Sequence, residues 1–371
     1  MYKKILLLFV LSILLIRCGG SESDDDGGDV TKPVAYDRGK MLVHWADKTI
    51  IPAYNAFKQT LINLDNSTKI FVSAPNQTNI NDLRSKWLIS YKSWQHIEMF
   101  DIGKAEEIYY KSKMNVYPID KIWLENNVSK GTYDLDSANN YSSQGFPALD
   151  YLLYGIAADD TSILTKYTVN TDYTNYLSAI VSKMVSNTDI IINDWSSYRA
   201  AFVGLTDNTA SSSVNKLTND FIYYYEKGLR ANKVGIPAGV FSGGPLPGNV
   251  EAFYRKDISK DLLLEGMNAV IKFYNGTSFD GLSSGPSLKS YLTHLNSTKD
   301  GSSLSALVVT KLEAAKSKIN ELSNNFVTQI NSDNSKMLVT YDAVQAVVVL
   351  LKVDMLQAFN INVDYTDADG D

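Results

Sequence analysis

Apolar residues along this chain recur mainly at three- and four-residue spacings, and alternating apolar and polar stretches are short. A repeat near 3.6 residues is typical of an amphipathic α-helix that buries one side. The clearest window covers residues 83–102, where one helical face collects Leu83, Trp87, Tyr91 and Trp94. The same pattern predicts further helices over residues 41–64, 147–155, 173–194, 214–233, 258–274, 302–324 and 340–359.

Stretches rich in Asn, Ser, Gly and Pro separate these helices and are predicted to be loops, at 125–145, 206–214 and 275–287. The longest irregular segment, from Gly235 to Gly248, combines Gly with Pro and predicts a domain boundary. We therefore predict an all-α protein made of two packed helical bundles, an N-terminal bundle over 30–234 and a C-terminal bundle over 235–371.

The amino terminus has the pattern of an export signal. Lys3 and Lys4 precede an apolar run over residues 5–16, which is too short to span a bilayer comfortably. The only cysteine, Cys18, follows directly after Arg17 and is succeeded by small residues, as in a bacterial lipoprotein signal. We predict a signal peptide over 1–17 and a lipid anchor at Cys18, the alternative being an incidental thiol.

Residues 18–29 are acidic and glycine-rich, a composition that cannot pack and that predicts a flexible tether. The acidic run is similar to the export tag behind the acylated cysteine of Bacteroidetes surface lipoproteins. The alternative is a plain spacer between domain and membrane. We expect an outer-membrane lipoprotein that faces the periplasm or the cell surface, with the membrane as a partner through Cys18.

Composition narrows the chemistry. The 371 residues include 35 Lys and Arg against 41 Asp and Glu, one cysteine and three histidines. One cysteine excludes an intrachain disulfide framework, a zinc finger and an iron–sulfur cluster. A net charge of -6 without a long basic block argues against nucleic acid as a partner.

Glu98 is the first candidate functional residue, because it continues the aromatic stripe toward the interior. A buried carboxylate must be paired, hydrogen-bonded or protonated, so Glu98 is either a satisfied core acid or part of a site. His96 is two residues away, about 200° around a helix, and is therefore predicted to be a surface or packing residue instead of a co-ligand.

The second candidate is the segment Gly145 to Gly155, in which a glycine turn enters a short apolar helix. Pro147 suits the first helical turn, where its missing amide hydrogen is not needed. Asp150 lies one turn further on, where an acid is also favoured simply by the helix dipole. Taken alone, Asp150 would be interpreted as a helix-stabilising residue.

This segment resembles the hallmark of the imelysin-like proteins, Gly-x-His-x-x-Glu running into an apolar stretch that ends in an aromatic residue and Gly. Similar blocks follow the family order at 87–103, 226–239, 250–254, Gly281-Leu282 and 341–371. The resemblance implies a helical two-bundle fold of the kind that a duplication produces, with the motif near the junction of the halves. It also implies a place in the bacterial envelope and an association with iron uptake, in a family classed among metallopeptidases.

The chain departs from the family motif at both chemical positions, because Pro147 stands at the His position and Asp150 at the Glu position. Proline offers no ligand atom, and a zinc peptidase needs about three protein ligands and a base. No His-Glu-x-x-His or Gly-x-Ser-x-Gly motif occurs in the sequence. Proteolysis is therefore disfavoured.

Binding of a hard cation is compatible with these departures. The oxygen ligands that suit ferric iron or calcium could come from Glu98, Asp150, Glu226 and Asp354, with Trp87 and Trp94 supporting the site. Arg230 could instead neutralise one of these carboxylates. Together with the association with iron uptake that the resemblance implies, these residues predict a non-catalytic envelope protein that binds iron or an iron-bearing ligand and works with iron-uptake components. The alternatives are a metallopeptidase-like enzyme with an atypical site and a module that docks another envelope protein.

Overall fold

The computed structural model describes residues 35–365, and nearly all of their regular structure is helical. Two short strands, Thr298–Lys299 and Ser302–Ser303, form an antiparallel hairpin, and Thr277 and Ser284 form an isolated bridge. The all-α prediction is confirmed. The predicted signal peptide, Cys18 and tether lie outside the described residues. Over residues 35–365, no helix combines the length and apolar character needed to cross a bilayer.

The first half of the described residues forms nine α-helices: α1 Arg38–His44, α2 Ile51–Ser73, α3 Gln77–Trp94, α4 Lys104–Glu107, α5 Tyr110–Met114, α6 Lys121–Lys130, α7 Gly145–Tyr154, α8 Asp160–Val169 and α9 Thr171–Gly204. A π-helical turn, Trp45–Ile50, joins α1 to α2, and a 3₁₀ segment, Ala138–Ser143, leads into α7. The long helices α2, α3 and α9 pack side by side.

The second half, as far as residue 365, contains eight more α-helices: α10 Ser213–Tyr223, α11 Ile236–Ala238, α12 Ser259–Asn275, α13 Leu288–His294, α14 Leu304–Asn320, α15 Phe326–Asp333, α16 Ser335–Val349 and α17 Leu356–Phe359. π-Helical segments Tyr224–Gly235 and Leu350–Met355 connect α10 to α11 and α16 to α17, and a 3₁₀ turn forms at Pro247–Asn249. α12 packs against α14 and also against α3 of the first half.

Helical backbone runs without interruption from Ser213 to Ala238, so Gly235 lies inside a continuous helical rod. The described residues from Tyr36 onward pack as one compact unit. The division into 30–234 and 235–371 stays a prediction. The Gly- and Pro-rich stretch begins as helix and becomes irregular only after Gly239, which takes the left-handed conformation at φ 84°.

Helix α3 ends at Trp94, eight residues before the predicted end. Beyond it the backbone tightens into i to i+3 hydrogen bonds, from the Ile97 amide to the Trp94 carbonyl (2.9 Å) and from Phe100 to Ile97 (2.9 Å). The three aromatic residues of the predicted stripe, Trp87, Tyr91 and Trp94, are all buried as the spacing predicts. The aromatic stripe is therefore confirmed, but Glu98 lies in the turn after α3 and not on the helix itself.

The predicted loop at 125–145 is wrong in part, because α6 occupies its beginning and a 3₁₀ segment its end. The asparagines that suggested a loop are structural. Asn127 is buried and donates to Asn140 Oδ1 (2.7 Å) and to the Tyr176 hydroxyl (3.2 Å). Buried amides that pair with one another look like loop composition in a sequence, yet they stabilise packed helices.

The start of α7 lies directly against the end of α5. Gly145 has φ 73°, and a Cβ atom there would come within 2.2 Å of the Met114 carbonyl oxygen. Only glycine permits that approach. The next residue, Phe146, stacks its ring on Tyr91 with centroids 4.5 Å apart, and its carbonyl accepts from the Trp87 indole (3.3 Å). Gly145 and the aromatic stripe thus fix α7 on α3.

Candidate functional site

The turn after α3 carries Glu98 into the interior, where its side chain is 8% exposed. Its Oε1 atom accepts a hydrogen bond from the Asn115 amide at 3.0 Å. Its Oε2 atom is buried and has no hydrogen-bond partner among the described residues. An unpaired buried carboxylate oxygen is costly, which makes it a marker of an incomplete site.

A second buried acid, Glu251, lies beside Glu98, because the same Asn115 amide also donates to Glu251 Oε1 at 3.0 Å. The Glu251 Oε2 atom forms an ion pair with the Lys233 ammonium, and both of these side chains are 2% exposed. We call Glu98, Asn115, Lys233 and Glu251 the acidic centre. With two carboxylates and one ammonium, the centre is short of one positive charge when both acids are ionised.

The missing positive charge favours the protonated form of the Glu98 carboxyl group. Burial raises the pKa of Glu98, Lys233 opposes that rise, and the neighbouring Glu251 carboxylate adds to it. Tyr224 is also buried next to the centre, its hydroxyl has no partner among the described residues, and burial raises its pKa well above the usual range. A cation close to Glu98 and Tyr224 would reverse both shifts.

Two cavities meet at Glu98 and share Lys111, Ser112, Tyr223 and Tyr224 as walls. The acidic lobe, about 380 Å³, is completed by Met99, Asp101, Glu106, Lys216, Asp220, Asp364 and Tyr365. The tyrosine lobe, about 170 Å³, is completed by Asn115, Val116, Tyr117, Lys227, Gly228 and Asn232. Glu98 therefore lines both halves of one polar cavity system at the acidic centre.

Asp150 is buried in α7, and both of its oxygens are occupied by backbone amides. They accept from the Tyr254 N–H at 2.8 Å and from the Arg255 N–H at 2.9 Å. Burial raises the pKa of Asp150 to about 7, although the two amides oppose that rise. Because the amides belong to the segment that carries Glu251, Asp150 fixes the acidic centre through the backbone.

Pro147 and Asp150 line a separate cavity of about 230 Å³, whose other walls are mainly Tyr117, Pro118, Ile119, Val250, Phe253 and Tyr254. The motif position that carries His in the family pattern is thus an apolar wall here. The motif itself acts in this chain as a backbone clamp. Gly145 lets α7 start against α5, Pro147 lies in the first turn of α7, and Asp150 holds the 250–255 segment.

Glu226, the third candidate ligand, is fully buried and already compensated. Its Oε1 atom lies 3.5 Å from Arg230 Nη2 and 3.2 Å from Lys352 Nζ, and its Oε2 atom accepts from the Tyr365 hydroxyl at 2.8 Å. Arg230 therefore neutralises this carboxylate, as the sequence suggested it could for one of the candidates.

Asp354, the fourth candidate, forms an ion pair with Lys299 and lines neither lobe. The four predicted carboxylates thus have four different sets of partners. Within residues 35–365, no three His, Cys, Asp or Glu side chains converge in a way that could hold a metal ion. His96 pairs with Glu265 at 3.2 Å, away from Glu98.

Sequence reasoning missed Asn115, Lys233 and Glu251 as site residues. Only Glu251 left a signal, since it is a single acid between Val250 and the apolar pair Ala252-Phe253. Trp87 and Trp94, which the sequence predicted to support the site, are buried in the core beneath α7, and their supporting role stays a prediction. Trp94 lies edge-on to Tyr110 at 5.3 Å and Trp87 lies 5.6 Å from the Tyr154 ring.

The geometry defines a helical protein with a buried acidic centre at the meeting point of two polar cavities, beside a helix that begins with a Gly-Phe-Pro turn. The model of the family described as Peptidase_M75: Imelysin matches residues 50–353. The chain belongs to the imelysin family, and the resemblance seen in its motif blocks is confirmed.

Relatives agree in fold while differing in sequence. An imelysin-like protein from Psychrobacter arcticum superposes with a TM-score of 0.70 at 18% identity, over 88% of this chain and 97% of that one. A protein from Parabacteroides distasonis, described as an iron-regulated protein A precursor, superposes with a TM-score of 0.73 at 17% identity, over 89% and 97%. Iron-regulated protein A of Synechococcus elongatus is 22% identical over 248 residues, which is 65% of each chain's length.

Proposed function

We propose that this protein is a cell-envelope protein that binds iron or an iron-bearing ligand at Glu98 and has no peptidase activity. The observation that carries the proposal is Glu98, which lines both lobes and whose buried Oε2 atom has no hydrogen-bond partner among the described residues. A carboxylate in that position is poised to be completed by a positive charge. Tyr224 also lines both lobes, and its hydroxyl is likewise unpartnered among the described residues.

Carboxylate and phenol oxygens are ligands that hard cations such as ferric iron accept. The printed names of two relatives, both iron-regulated protein A, support iron as the first cargo to test. Those names describe regulation in those proteins, and their transfer to this chain belongs to the proposal.

The motif residues favour binding over hydrolysis. Pro147 has no ligand atom at the position where the family pattern has His. Asp150 already gives each of its oxygens to a backbone amide, so it serves the fold instead of activating water. The proposal also retains the predicted lipid anchor at Cys18 and the outer-membrane location, with envelope iron-uptake components as partners.

The test is calorimetric titration of the purified full-length protein with ferrous iron under anaerobic conditions and, separately, with ferric citrate, zinc and calcium. We expect saturable binding of at least one iron species. Glu98→Gln keeps the shape of the side chain and removes its charge, so it should weaken binding about tenfold to hundredfold.

Asp354→Asn is the matched control, because it removes one carboxylate charge outside both lobes. Its affinity should equal that of the wild type. Failure of every iron species to bind, or equal affinities for the wild type and Glu98→Gln, would overturn the proposal. Chelator-sensitive hydrolysis lost on Asp150→Ala would favour the peptidase instead, and neither binding nor hydrolysis would favour a docking module.

A further inference from the structure

The acidic lobe carries far more negative than positive charge. Among the described residues, its lining includes five carboxyl groups and two ammonium groups, those of Lys111 and Lys216. Lys111 is already paired with Asp101 at 3.1 Å. If every group is ionised, the lobe has a formal charge of -3, whereas the whole chain has -6.

Asp220 shows how crowded these charges are. No ion pair or hydrogen bond joins its carboxylate to another described residue. Burial, together with the neighbouring Asp101, Asp364 and Glu106 carboxylates, raises the pKa of Asp220 well above its usual range, and Lys111 only partly opposes the rise. A bound cation would therefore stabilise the ionised forms of two carboxyl groups, that of Asp220 and that of Glu98, whose Oε2 atom has no partner among the described residues.

These carboxylates surround the cavity without converging. Within the described part of the chain no three acids come together as ligands of one bare ion. A bare cation could therefore touch few of them directly. A larger cation that fills the lobe could meet several walls at once through hydrogen bonds.

We infer that the acidic lobe binds a compact multivalent cation together with the cation's own shell of small neutral ligands, and that it recognises this cargo by charge through outer-sphere contacts. The inference rests on the proposed function and narrows it, since it assigns the chemical class of the cargo. Anionic chelates, in which carboxylates or other acids wrap the metal, are excluded by the sign of the lobe.

The size of the lobe agrees with this class of cargo. Six waters around a metal ion occupy about 180 Å³, because each takes about 30 Å³ in the liquid. The lobe provides about 380 Å³. A hexahydrated ion therefore fits with room for bridging waters, which transmit polar contacts nearly as well as direct hydrogen bonds.

Outer-sphere binding can be tested separately with hexaamminecobalt(III), a trivalent cation whose ammonia ligands exchange too slowly to be replaced by carboxylates. We expect saturable calorimetric binding of hexaamminecobalt(III) to the full-length protein and no binding of ferric citrate. Raising the salt concentration from about 0.01 M to about 1 M should weaken binding steeply, since the screening length falls from about 30 Å to about 3 Å.

Two variants and one control place the probe in the lobe. Asp220→Asn and the exposed Glu106→Gln each remove one wall charge and should weaken hexaamminecobalt(III) binding about threefold to tenfold. Glu106→Gln lies at the surface, so it tests the lobe even if Asp220→Asn alters folding. Asp354→Asn removes the same charge elsewhere and should have no effect.

Absence of hexaamminecobalt(III) binding, or binding that neither lobe variant weakens, would overturn the inference. Ferric citrate binding that depends on Glu98, without binding of hexaamminecobalt(III), would leave the proposed function standing and remove this inference. If neither an iron species nor hexaamminecobalt(III) binds, the proposed function and this inference are both overturned.

Discussion

Glu98 and Asp150 are two buried carboxylates that line neighbouring cavities, and they differ in how many of their oxygens are hydrogen-bonded. Asp150 gives both oxygens to backbone amides, at 2.8 and 2.9 Å. Glu98 gives one oxygen to Asn115 and leaves the other without a partner among the described residues, at the edge of two cavities. The first carboxylate is satisfied by the protein, and the second is not.

The difference separates a carboxylate that joins two chain segments from one that is not fully hydrogen-bonded among the described residues. A carboxylate with two amide partners ties two chain segments together, and removing it leaves buried donors unpaired. A buried carboxylate with an unpartnered oxygen destabilises the ligand-free protein. A ligand that pairs with that oxygen would stabilise the folded state. In this chain the family motif therefore holds two segments of the fold together, whereas Glu98, the carboxylate with an unpartnered oxygen among the described residues, lies outside the motif.

The largest effect we expect comes from Lys233, the only ammonium in the acidic centre. Lys233→Met leaves the Glu98 and Glu251 carboxylates buried without a counter-charge. We predict a loss of about 3–5 kcal/mol in the free energy of unfolding, measured by urea denaturation at neutral pH. Lys311→Met, on the exposed face of α14, is the matched control. Equal stability of the two variants would show that the centre is not buried as described.

The next effect tests the structural side of the comparison. Asp150→Ala removes the acceptor of two buried N–H groups, so we predict a loss of about 2–4 kcal/mol in unfolding free energy. Asp354→Ala breaks a partly exposed ion pair and should cost about 0–1 kcal/mol. An Asp150→Ala protein as stable as Asp354→Ala would contradict the clamp.

A third effect follows from the pKa of Asp150, which burial raises to about 7 from an ordinary value of 3.8. The folded protein then binds a proton more tightly than the unfolded chain. The resulting stability is full below about pH 4 and is lost as the pH rises to about 7. Relative to Asp150→Asn, which cannot ionise, the wild type should lose about 2–3 kcal/mol between about pH 5 and about pH 8. A stability difference that does not change with pH would exclude this titration.

The smallest effect on stability is expected at Glu98. Glu98→Gln ends the repulsion with Glu251 and removes a buried charge, so the unfolding free energy should be unchanged or higher by about 1 kcal/mol. Urea denaturation beside Asp150→Ala measures the contrast directly. A large destabilisation by Glu98→Gln would make Glu98 a structural residue like Asp150.

The hydrophobic periodicity of the sequence correctly predicted which residues of a helix are buried, because that depends only on local spacing. The apolar stripe of α3 placed Trp87, Tyr91 and Trp94 in the core, and the motif blocks led to the correct family. The same stripe predicted that α3 continues to residue 102, whereas the helix ends at Trp94 and the backbone tightens into i to i+3 hydrogen bonds. Asparagine content likewise suggested a loop where Asn127 in fact pairs with Asn140 inside the packed protein.

The composition of the site was harder to predict, because its parts are far apart in sequence. Asn115 joins Glu98 and Glu251, which are separated by more than a hundred positions, and Lys233 arrives on a third segment. No spacing rule connects such residues. The grouping of Glu226 and Asp354 with Glu98 relied on residue type alone, and the structure gives each its own cationic partner.

The most direct test of the account compares iron affinity in Glu98→Gln and Asp150→Asn, each at a pH where unfolding experiments show the variant to be folded. The account predicts that Glu98→Gln binds iron about tenfold or more weakly than Asp150→Asn, although Asp150 occupies the family motif. Loss of binding in Asp150→Asn, with full affinity retained in Glu98→Gln, would return the ligand to the motif and contradict the account.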